Sequence, residues 1–497
     1  MLKKLSAVLL WCILAAGIYW CSASTKESGE TNEPESAKAP EADETADEGN
    51  AADDEESALS DSIRVLIKTD DFGGIYHDEL KVVCEEGLVA CCGSNWVEYT
   101  PGEECIVNSE SFRDAEDFLI TLTGNNGAPL CIANLKRSAD ASYRGSLECR
   151  LTAEGIVVIN ELKVEEYLYG VVPSEMQSSY PHEALKAQAI SARTYTYYHK
   201  KSYAYPEWSA HVDDSTAFQV YKNISETNEA ITAVDETKNE VLTFGDEIIE
   251  SFYYSTSGGF SGGARVWSDE ESDMDAWLYE TGDERFAQND EEGEAAYQSF
   301  IDAGNPSDVE YKEAWYRWNY EKSLDGEGCR RLLERLYELA GQLPDKVKIR
   351  SQYLSKEKLL EETAIRDIRI LKRQKSGLVT ALLIETDNFM VSVRTQHVIR
   401  QALAAQGDIV VKNDGSAYSM GDLLASAYFY IEKVYDSDNN KENGDNLKEI
   451  IIHGAGLGHG CGMSQNGAKN LADRGFTAYE ILAYYYNGAI KSAESLK

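Results

Sequence analysis

The chain has 497 residues, 43% of them hydrophobic, which is too long for one ordinary hydrophobic core and indicates two or three folded domains. Its formal net charge of -39 at pH 7 argues against a nucleic-acid partner, because contact with phosphates requires clustered Lys and Arg.

The first 61 residues indicate export. Lys3 and Lys4 precede an apolar run that ends near Cys21, so residues 1–23 are predicted to be a signal peptide or, our preference, an N-terminal membrane anchor. Residues 24–61 contain no aromatic residue and many acidic ones, which predicts a disordered acidic linker. Either assignment implies that the rest of the protein is exported, either membrane-anchored facing outside or secreted.

Residues 62–160 are predicted to form a strand-rich domain. Short runs such as IRVLIKT and GIVVIN are separated by turns rich in Gly, Asn and Asp. This domain contains six cysteines, and an even number in an exported domain favours disulfides over metal binding. These cysteines are Cys84, Cys91, Cys92, Cys105, Cys131 and Cys149.

Glu175 lies in the apolar stretch GVVPSEM, five residues before the segment with the best helical pattern. Burial of a carboxyl group disfavours its charged form, so these neighbours would raise the pKa of Glu175 and make it a proton donor near neutral pH. The alternative is that Glu175 is an N-terminal charge of the following helix, where the helix dipole favours a carboxylate. The residues themselves leave both interpretations open.

A helix is predicted over residues 181–201, with a buried face rich in small residues. A second stripe at helical spacing consists of Lys186, Ile190, Arg193 and Tyr197. Spacing alone favours a solvent-exposed edge for this stripe.

Further along, EVLTFGDEIIESFYYSTSGG indicates a β-hairpin followed by a Ser/Gly loop, and residues near 268–350 are an acidic insertion. Residues 365–386 are predicted to be strands, and the short run VIRQALAAQ to be a helix.

The C-terminal part contains HGAGLGHGCGMSQNG, in which glycine occupies every second position from 454 to 462. In an extended chain this leaves one face bare, so that a ligand or a second backbone can approach closely. Ser464 is a predicted helix cap, and Thr477 with Glu480 a capping box. A hydrolase using Cys461 and His459 is disfavoured, because alternating residues do not hold a thiol against an imidazole.

Two long stretches, VEEYLYGVVPSEM…YPHEALKAQAISARTYTYYHK and HGAGLGHGCGMSQNGAKNLADRGFTAYEILAYYYNG, closely resemble the SpoIID/LytB family of peptidoglycan-acting sporulation proteins. The shorter signatures YRG, QVY, STSGG and IRQAL occur in the same order. The resemblance runs from about Ile63 to Ile490, with residues 161–490 as the catalytic region. We expect an α+β architecture, in which a strand-rich N-terminal domain precedes a mixed α/β catalytic region with a substrate cleft between Glu175 and the glycine-rich segment.

The resemblance implies a lytic transglycosylase without a cofactor, which cuts the β-1,4 bond after N-acetylmuramic acid in peptide-stripped glycan strands and leaves a 1,6-anhydro end. By the same resemblance Glu175 is the catalytic acid and base. Five further residues are implied to contact the glycan: Lys186 and Arg193 face lactyl carboxylates, Tyr197 stacks on a sugar ring, and His459 and Gln465 lie near the same cleft.

Some family members bind zinc through two cysteines ahead of QVY together with histidine. Here Asp213 and Phe218 occupy those places, so we predict no metal, and a polar loop rather than a weak site at His211 and Asp213.

The family name also covers LytB-like amidase enhancers, so a non-catalytic glycan-binding role is the main alternative. The expected partners are glycan strands, an amidase or another sporulation wall-remodelling protein, and the membrane if the N-terminus is uncleaved. A vegetative role in wall remodelling stays open beside sporulation.

Overall fold

The computed structural model describes residues 61–113, 118–267, 272–351, 364–435 and 446–496. The predictions of an export segment at 1–23 and of an acidic linker at 24–61 lie outside these residues, apart from Asp61. Within these ranges no helix combines the length and the apolar character needed to cross a membrane.

The chain divides into two compact units. The N-terminal unit comprises the described residues up to Tyr167 together with His199–Asn223, and the C-terminal unit comprises Leu168–Tyr198 and the described residues from Ile224 onward. Residues 199–223, assigned from sequence to the catalytic region, therefore cluster with the strand-rich part of the chain.

The N-terminal unit is built from strands, as the sequence predicts. The strands are β1 (Ser62–Ile67), β2 (Leu80–Val83), β3 (Leu88–Cys92), β4 (Asn95–Tyr99), β5 (Cys105–Val107), β6 (Leu119–Gly124), β7 (Leu130–Ile132), β8 (Ser142–Tyr143), β9 (Ser146–Leu151), β10 (Ile156–Lys163) and β11 (Val212–Asp213). They form a seven-stranded sheet in the order β11-β1-β10-β9-β6-β3-β4 and a four-stranded sheet in the order β5-β2-β7-β8.

The core of this unit includes strands β1 and β10 of the large sheet, in which consecutive residues are buried. Strands β1 and β10 pair antiparallel, with Leu66 opposite Ile159. Leu66 and Ile159 pack with Val157 and Ala210 in a fully buried cluster. Ile67 and Val158, whose side chains alternate to the other face, are fully buried as well, so both faces of these strands are covered.

The expectation of disulfides is wrong for this structure. All eight cysteines among the described residues are free thiols, including the six of the N-terminal unit. Cys84, Cys105 and Cys149 are buried and occupy positions in the core of the unit as small apolar side chains do.

The C-terminal unit mixes helices with four sheets, which confirms the α+β class. Its helices, the first and second of which extend by a few residues into the other unit, are α1 (Val164–Glu175), α2 (His182–His199), α3 (Asn228–Glu236), α4 (Glu291–Ala303), α5 (Gly326–Gln342), α6 (Gln396–Leu403), α7 (Gln465–Asp473) and α8 (Ala478–Tyr485). Its strands are β12 (Glu240–Phe244), β13 (Glu247–Ile248), β14 (Tyr253–Tyr254), β15 (Trp318–Ser323), β16 (Val347–Ser351), β17 (Ile365–Arg373), β18 (Val379–Thr386), β19 (Phe389–Arg394), β20 (Ile409–Lys412), β21 (Ala417–Ser419), β22 (Phe429–Tyr435), β23 (Leu447–Gly454), β24 (Met463–Ser464) and β25 (Ala489–Ser492).

Four sheets organise this unit. Their strand orders are β13-β12-β25, β14-β24, β21-β20-β15-β23-β22 and β16-β19-β18-β17. The predicted hairpin is β12–β13, the predicted strands at 365–386 are β17 and β18, and the predicted short helix is α6. The pair β14–β24 is short but decisive for the site, because it joins the STSGG loop to the glycine-rich segment.

Helix α2 is the buried centre of this unit. Its small residues, such as Ala187 and Ala192, are fully buried, and so are Ile190 and Arg193 on the second stripe. The expectation that this stripe is a solvent-exposed edge is therefore wrong: small side chains let other elements cover the helix on nearly every side.

Candidate active site

Glu175 is the last residue of helix α1 and is half-buried. Val171 and Val172, one turn earlier, are fully buried, which confirms the apolar setting predicted from sequence. Because α2 begins only at His182, the alternative of an N-terminal charge on the following helix is wrong.

The first turn of helix α7 lies against Glu175. The side-chain amide of Gln465 donates to the main-chain carbonyl of Glu175 at 3.0 Å. Close by in sequence, the Tyr180 hydroxyl donates to Oδ1 of Asn466 at 2.6 Å. Ser464 caps the helix, as predicted, by accepting a main-chain N–H of the first turn. These bonds join two segments that the sequence singled out separately.

The STSGG loop, residues 255–259, holds the other side of the same turn. The N–H of Asn466 donates to the carbonyl of Ser255 at 3.0 Å, and its side-chain amide donates to Oγ1 of Thr256 at 2.9 Å. Thr256 also exchanges two main-chain bonds with Leu457 in the glycine run. Three sequence motifs thus meet at the N-terminal end of α7.

The glycine run is not the extended strand that the alternation predicts. Strand β23 ends at Gly454, and Gly456, Gly458, Gly460 and Gly462 have φ between 74° and 109°. L-residues rarely adopt this region, which explains the need for glycine there. The predicted approach of a second backbone is confirmed: a Cβ on Gly462 would lie 1.9 Å from the carbonyl oxygen of Phe252.

The hydrogen bonds of His459 are made within the glycine-rich segment and to the neighbouring strand β14. Its Nδ1 accepts the N–H of Cys461 at 3.1 Å, and its Nε2 donates to the carbonyl of Tyr253 at 3.0 Å, which requires the Nε2–H tautomer. Burial lowers the pKa of His459 to about 3, so the imidazole is neutral. Burial also raises the pKa of the Cys461 thiol, and the thiolate that a cysteine hydrolase needs is therefore disfavoured.

Lys186 lies in the first turns of α2 within a charged group. Its ammonium is 3.2 Å from Oε1 of Glu183 and 3.7 Å from Oε2 of Glu236. Burial opposes the charge, but the hydrogen bond and charge of Glu183 prevail and raise the pKa of Lys186. The other oxygen of Glu183 accepts the N–H of Ala478, the first residue of α8, at 2.7 Å. Lys186 is therefore a fixed cation with part of its surface open.

Arg193 and Tyr197 do not form a groove wall, contrary to what the resemblance implies. Arg193 is fully buried, and its guanidinium donates to the carbonyls of Val234 at 3.0 Å and Glu240 at 3.3 Å. Tyr197 is only 7% exposed, so no sugar ring can stack on it. At Arg193 the cause is that α3 and β12 cover this side of α2.

Glu310 is a residue that sequence analysis missed. It lies between α4 and β15, is 5% exposed, and its Oε1 accepts the N–H of Ser257 at 2.7 Å and the hydroxyl of Ser464. Burial raises the pKa of Glu310 to about 8, although both bonds act in the opposite direction. Its segment contains many acidic residues, and nothing in the sequence distinguishes the one buried carboxyl group from the exposed ones.

In the N-terminal unit, the residues in place of the family's zinc ligands do not fit a metal site. Phe218 has no ligand atom, and the carboxylate of Asp213 is bonded to Ser215 and, at 2.7 Å, to the Tyr205 hydroxyl. His211 and Asp213 are buried rather than part of an exposed polar loop. In the described ranges no three His, Cys, Asp or Glu residues gather as metal ligands do.

Comparisons with known proteins find similarity over the part of the chain that contains these motifs. The model of the SpoIID family, described as stage II sporulation protein, matches residues 152–244, and a domain of unknown function (DUF8618) matches residues 265–462. The amidase enhancer of Bacillus subtilis is 27% identical over 331 residues, which cover 65% of this chain and 39% of that protein.

Two shorter similarities involve about a quarter of the chain. Stage II sporulation protein D of Bacillus subtilis is 36% identical over 124 residues, covering 22% of this chain and 36% of that protein. An uncharacterized protein of Brachyspira hyodysenteriae is 38% identical over 125 residues, covering 24% of this chain and 33% of that protein. The chain thus spans between a third and two fifths of the length of these relatives. Residues 152–244, which carry Glu175 and helix α2, are thus a domain of the SpoIID type, and stage II sporulation protein D and the amidase enhancer are among the relatives of this chain.

Proposed function

We propose that this protein is a lytic transglycosylase that cleaves peptidoglycan glycan strands, with Glu175 as its acid and base. The family match and the names of the relatives support a role connected with the cell wall. The observation that carries the finer proposal is that Glu175 ends α1 half-exposed in an apolar setting, with its main chain held by Gln465 from the second family motif.

One carboxyl group is sufficient for this reaction. The neutral acid donates its proton to the glycosidic oxygen as the bond from C1 of muramic acid to that oxygen breaks. The carboxylate then takes the proton of the sugar's own 6-hydroxyl while O6 forms a bond to C1. The 1,6-anhydro ring closes, Glu175 regains its proton, and no water enters. Ordinary glycosidases need a second carboxyl group for the step that the 6-hydroxyl performs here.

Lys186 and Gln465 are the candidate substrate contacts that fit their surroundings. The lactyl groups of muramic acid carry carboxylates, and a protein with a net charge of -39 must bind them with local cations. Lys186 offers such a cation, with 18% of its side chain exposed. Gln465 lies beside Glu175 and can orient it without titrating itself.

The substrate also requires an export route. The lysine pair and apolar run of residues 1–23 support a signal peptide or membrane anchor, and the acidic segment 24–61 supports a tether. We therefore place the catalytic part outside the membrane, at the cell wall.

A second candidate function is stimulation of a separate amidase. The observation that favours it is coverage: the similarity to the amidase enhancer extends over 65% of this chain, against 22% for stage II sporulation protein D. In that case the site around Glu175 binds glycan without cleaving it.

The test uses the full-length protein, in detergent if the N-terminal segment requires it, mixed with peptide-free glycan strands. Products are identified by mass spectrometry, for wild type, Glu175→Gln and the control Glu166→Gln, which alters a carboxyl group on the same helix. We expect anhydromuramic ends from wild type and control, and a loss of about a hundredfold or more in rate for Glu175→Gln.

Three other outcomes are informative. Reducing ends instead of anhydro ends identify a hydrolase. Undiminished cleavage by Glu175→Gln removes Glu175 from the chemistry. Glycan binding without cleavage, combined with faster hydrolysis by an added peptidoglycan amidase, establishes the enhancer function instead.

A further inference from the structure

The side chain of Glu310 is buried, and among the described residues it has no cationic partner; each of these two properties makes the other energetically costly. Its Oε1 is bonded only to neutral donors, the N–H of Ser257 at 2.7 Å and the hydroxyl of Ser464. Within the residues that the structure describes, no ion pair reaches this carboxyl group. A buried charge without a partner is unfavourable, so such a group is kept neutral or serves a purpose.

The charged groups around Glu310 raise its pKa further, in the same direction as burial. Glu313 and Asp308, on the same segment, act with burial to raise the pKa of Glu310, which reaches about 8. Tyr254, from the strand before the STSGG loop, and Tyr485, from α8, are buried beside it, and Tyr484 lies nearby. None of these groups supplies a positive charge. At neutral pH the protonated carboxyl group predominates.

Two neighbours of Glu310 connect it to Glu175. Ser464, which contacts the carboxyl group, is the cap of α7, and its Oγ accepts the N–H of Gly467 at 3.2 Å. The next residue, Gln465, donates to the carbonyl of Glu175. Ser257, the other contact, belongs to the loop whose Ser255 and Thr256 bind Asn466.

The packing around Glu310 leaves little freedom. A Cβ at Gly467 would lie 3.1 Å from Oε2 of Glu310 and 1.9 Å from the hydroxyl of Tyr485. Glycine at this position therefore lets the carboxyl group and the tyrosine approach the first turn of α7 closely. A change in the charge of Glu310 acts directly on that turn.

We propose that Glu310 is a positioning residue for Glu175: through Ser464 its carboxyl group holds the first turn of α7 where Gln465 bonds to Glu175. Ionisation of Glu310 places an uncompensated charge in the protein interior and loosens this turn. The arrangement therefore makes the site sensitive to alkaline pH. The catalytic part of this inference rests on the proposed function, whereas the link between Glu310 and the turn does not.

Two substitutions separate hydrogen bonding from ionisation. Glu310→Gln retains an oxygen that accepts from Ser257 and Ser464 but cannot ionise, and Glu310→Leu retains the approximate size but accepts no hydrogen bond. Glu313→Gln is the control, because its carboxylate also contacts α7, at Asn470 and Lys469, but is partly exposed and lies beside a cation.

The first readout is hydrogen–deuterium exchange of the full-length protein at pH 6, 7, 8 and 9, corrected for intrinsic exchange. The reporters are the N–H groups of Asn466 and Gly467, bonded to Ser255 and Ser464 respectively. In wild type we expect protection to fall at least tenfold between pH 7 and 9. In Glu313→Gln we expect a fall of the same size that begins at lower pH, because loss of the Glu313 charge lowers the pKa of Glu310. In Glu310→Gln we expect protection to stay constant, and in Glu310→Leu to be low at every pH.

The second readout is glycan cleavage at pH 6.5. We expect Glu310→Leu to lower kcat by about tenfold to a hundredfold with KM within about threefold, since misplacement of a catalytic group by about 1 Å has effects of that size. Glu310→Gln should retain wild-type kcat at this pH. Above pH 8 it should lose less activity than wild type.

The proposal is overturned if Glu310→Gln and wild type show the same pH dependence of exchange, or if folded Glu310→Leu has wild-type protection and kcat. If wild type does not cleave glycan, the proposed function fails, and the exchange comparison still decides the role of Glu310.

Discussion

Gln465 donates a hydrogen bond from its side-chain amide to the main-chain carbonyl of Glu175, across 290 positions of sequence. The bond fixes the end of α1 relative to the start of α7, and Ser464 and Asn466 on either side are held by Glu310 and by the STSGG loop. The main chain that carries the Glu175 carboxyl group is therefore held in place by helix α7.

Replacement of Gln465 tests this relationship. Gln465→Ala removes one hydrogen bond, worth about 1 kcal/mol, and should lower kcat less than about tenfold. Gln465→Glu places a carboxylate oxygen against the carbonyl of Glu175 and should lower kcat by about tenfold to a hundredfold, because repulsion displaces the acid. The measurement is steady-state cleavage of peptide-free glycan strands. Asn470→Ala, later on the same helix, is the control, and equal losses in all three variants would contradict the argument.

The buried position of Arg193 predicts a structural phenotype. Arg193→Met retains much of the side chain's apolar length but removes the charged donor to the carbonyls of Glu240 and Val234, the second of which keeps a bond from the N–H of Thr237. Loss of a hydrogen bond from a charged donor costs about 1.5–3 kcal/mol. We expect a clear fall in the midpoint of urea unfolding. The exposed Arg474→Met should change stability by no more than about 0.5 kcal/mol. Unchanged stability combined with a loss of glycan affinity would instead support the substrate contact that the family resemblance implies for Arg193.

Local signals in the sequence were sufficient for much of the fold. Ser464 caps α7, Thr477 and Glu480 form a capping box on α8, and the hairpin β12–β13 forms where expected, because each depends on residues within a few positions of one another. The apolar setting of Glu175 was also predicted from its immediate neighbours. Such features need no knowledge of distant parts of the chain.

Features set by distant segments could not be predicted in this way. The stripe containing Arg193 has the spacing of an exposed edge, but α3 and β12 cover it. Alternating glycines fit an extended strand and a chain of positive φ equally well, and only the backbone near Phe252 distinguishes them. Glu310 belongs to an acidic segment, and its burial follows from Ser257 and Ser464, far from it in sequence.

The close approach at Gly462 predicts a severe effect of a single methyl group. Gly462→Ala adds a carbon 1.9 Å from the Phe252 carbonyl oxygen at a φ of 76°, so both the contact and the backbone are strained. Gly475→Ala is the matched control, since its φ is 91° but nothing lies within 4 Å of the added carbon. We expect Gly475→Ala to cost about 1 kcal/mol of stability and Gly462→Ala at least twice that, measured by urea unfolding. Equal losses would show that backbone strain alone matters.

The buried carboxyl group of Glu310 should make the stability of the protein depend on pH. The pKa of Glu310 is raised from 4.5 to about 8, so between these values the folded protein retains a proton that the unfolded chain has lost. The free energy of unfolding therefore falls as pH rises through this window, by up to about 1.4 kcal/mol for each unit of pKa difference. Glu310→Gln cannot ionise, so the stability of wild type relative to it should decline steadily from pH 5 to pH 8 and level off above. Urea unfolding at constant ionic strength measures this difference, with Glu313→Gln as the control expected to retain the wild-type slope. Parallel pH profiles of wild type and Glu310→Gln would mean that Glu310 is ionised in the folded protein, and that its segment opens to water or supplies a cation.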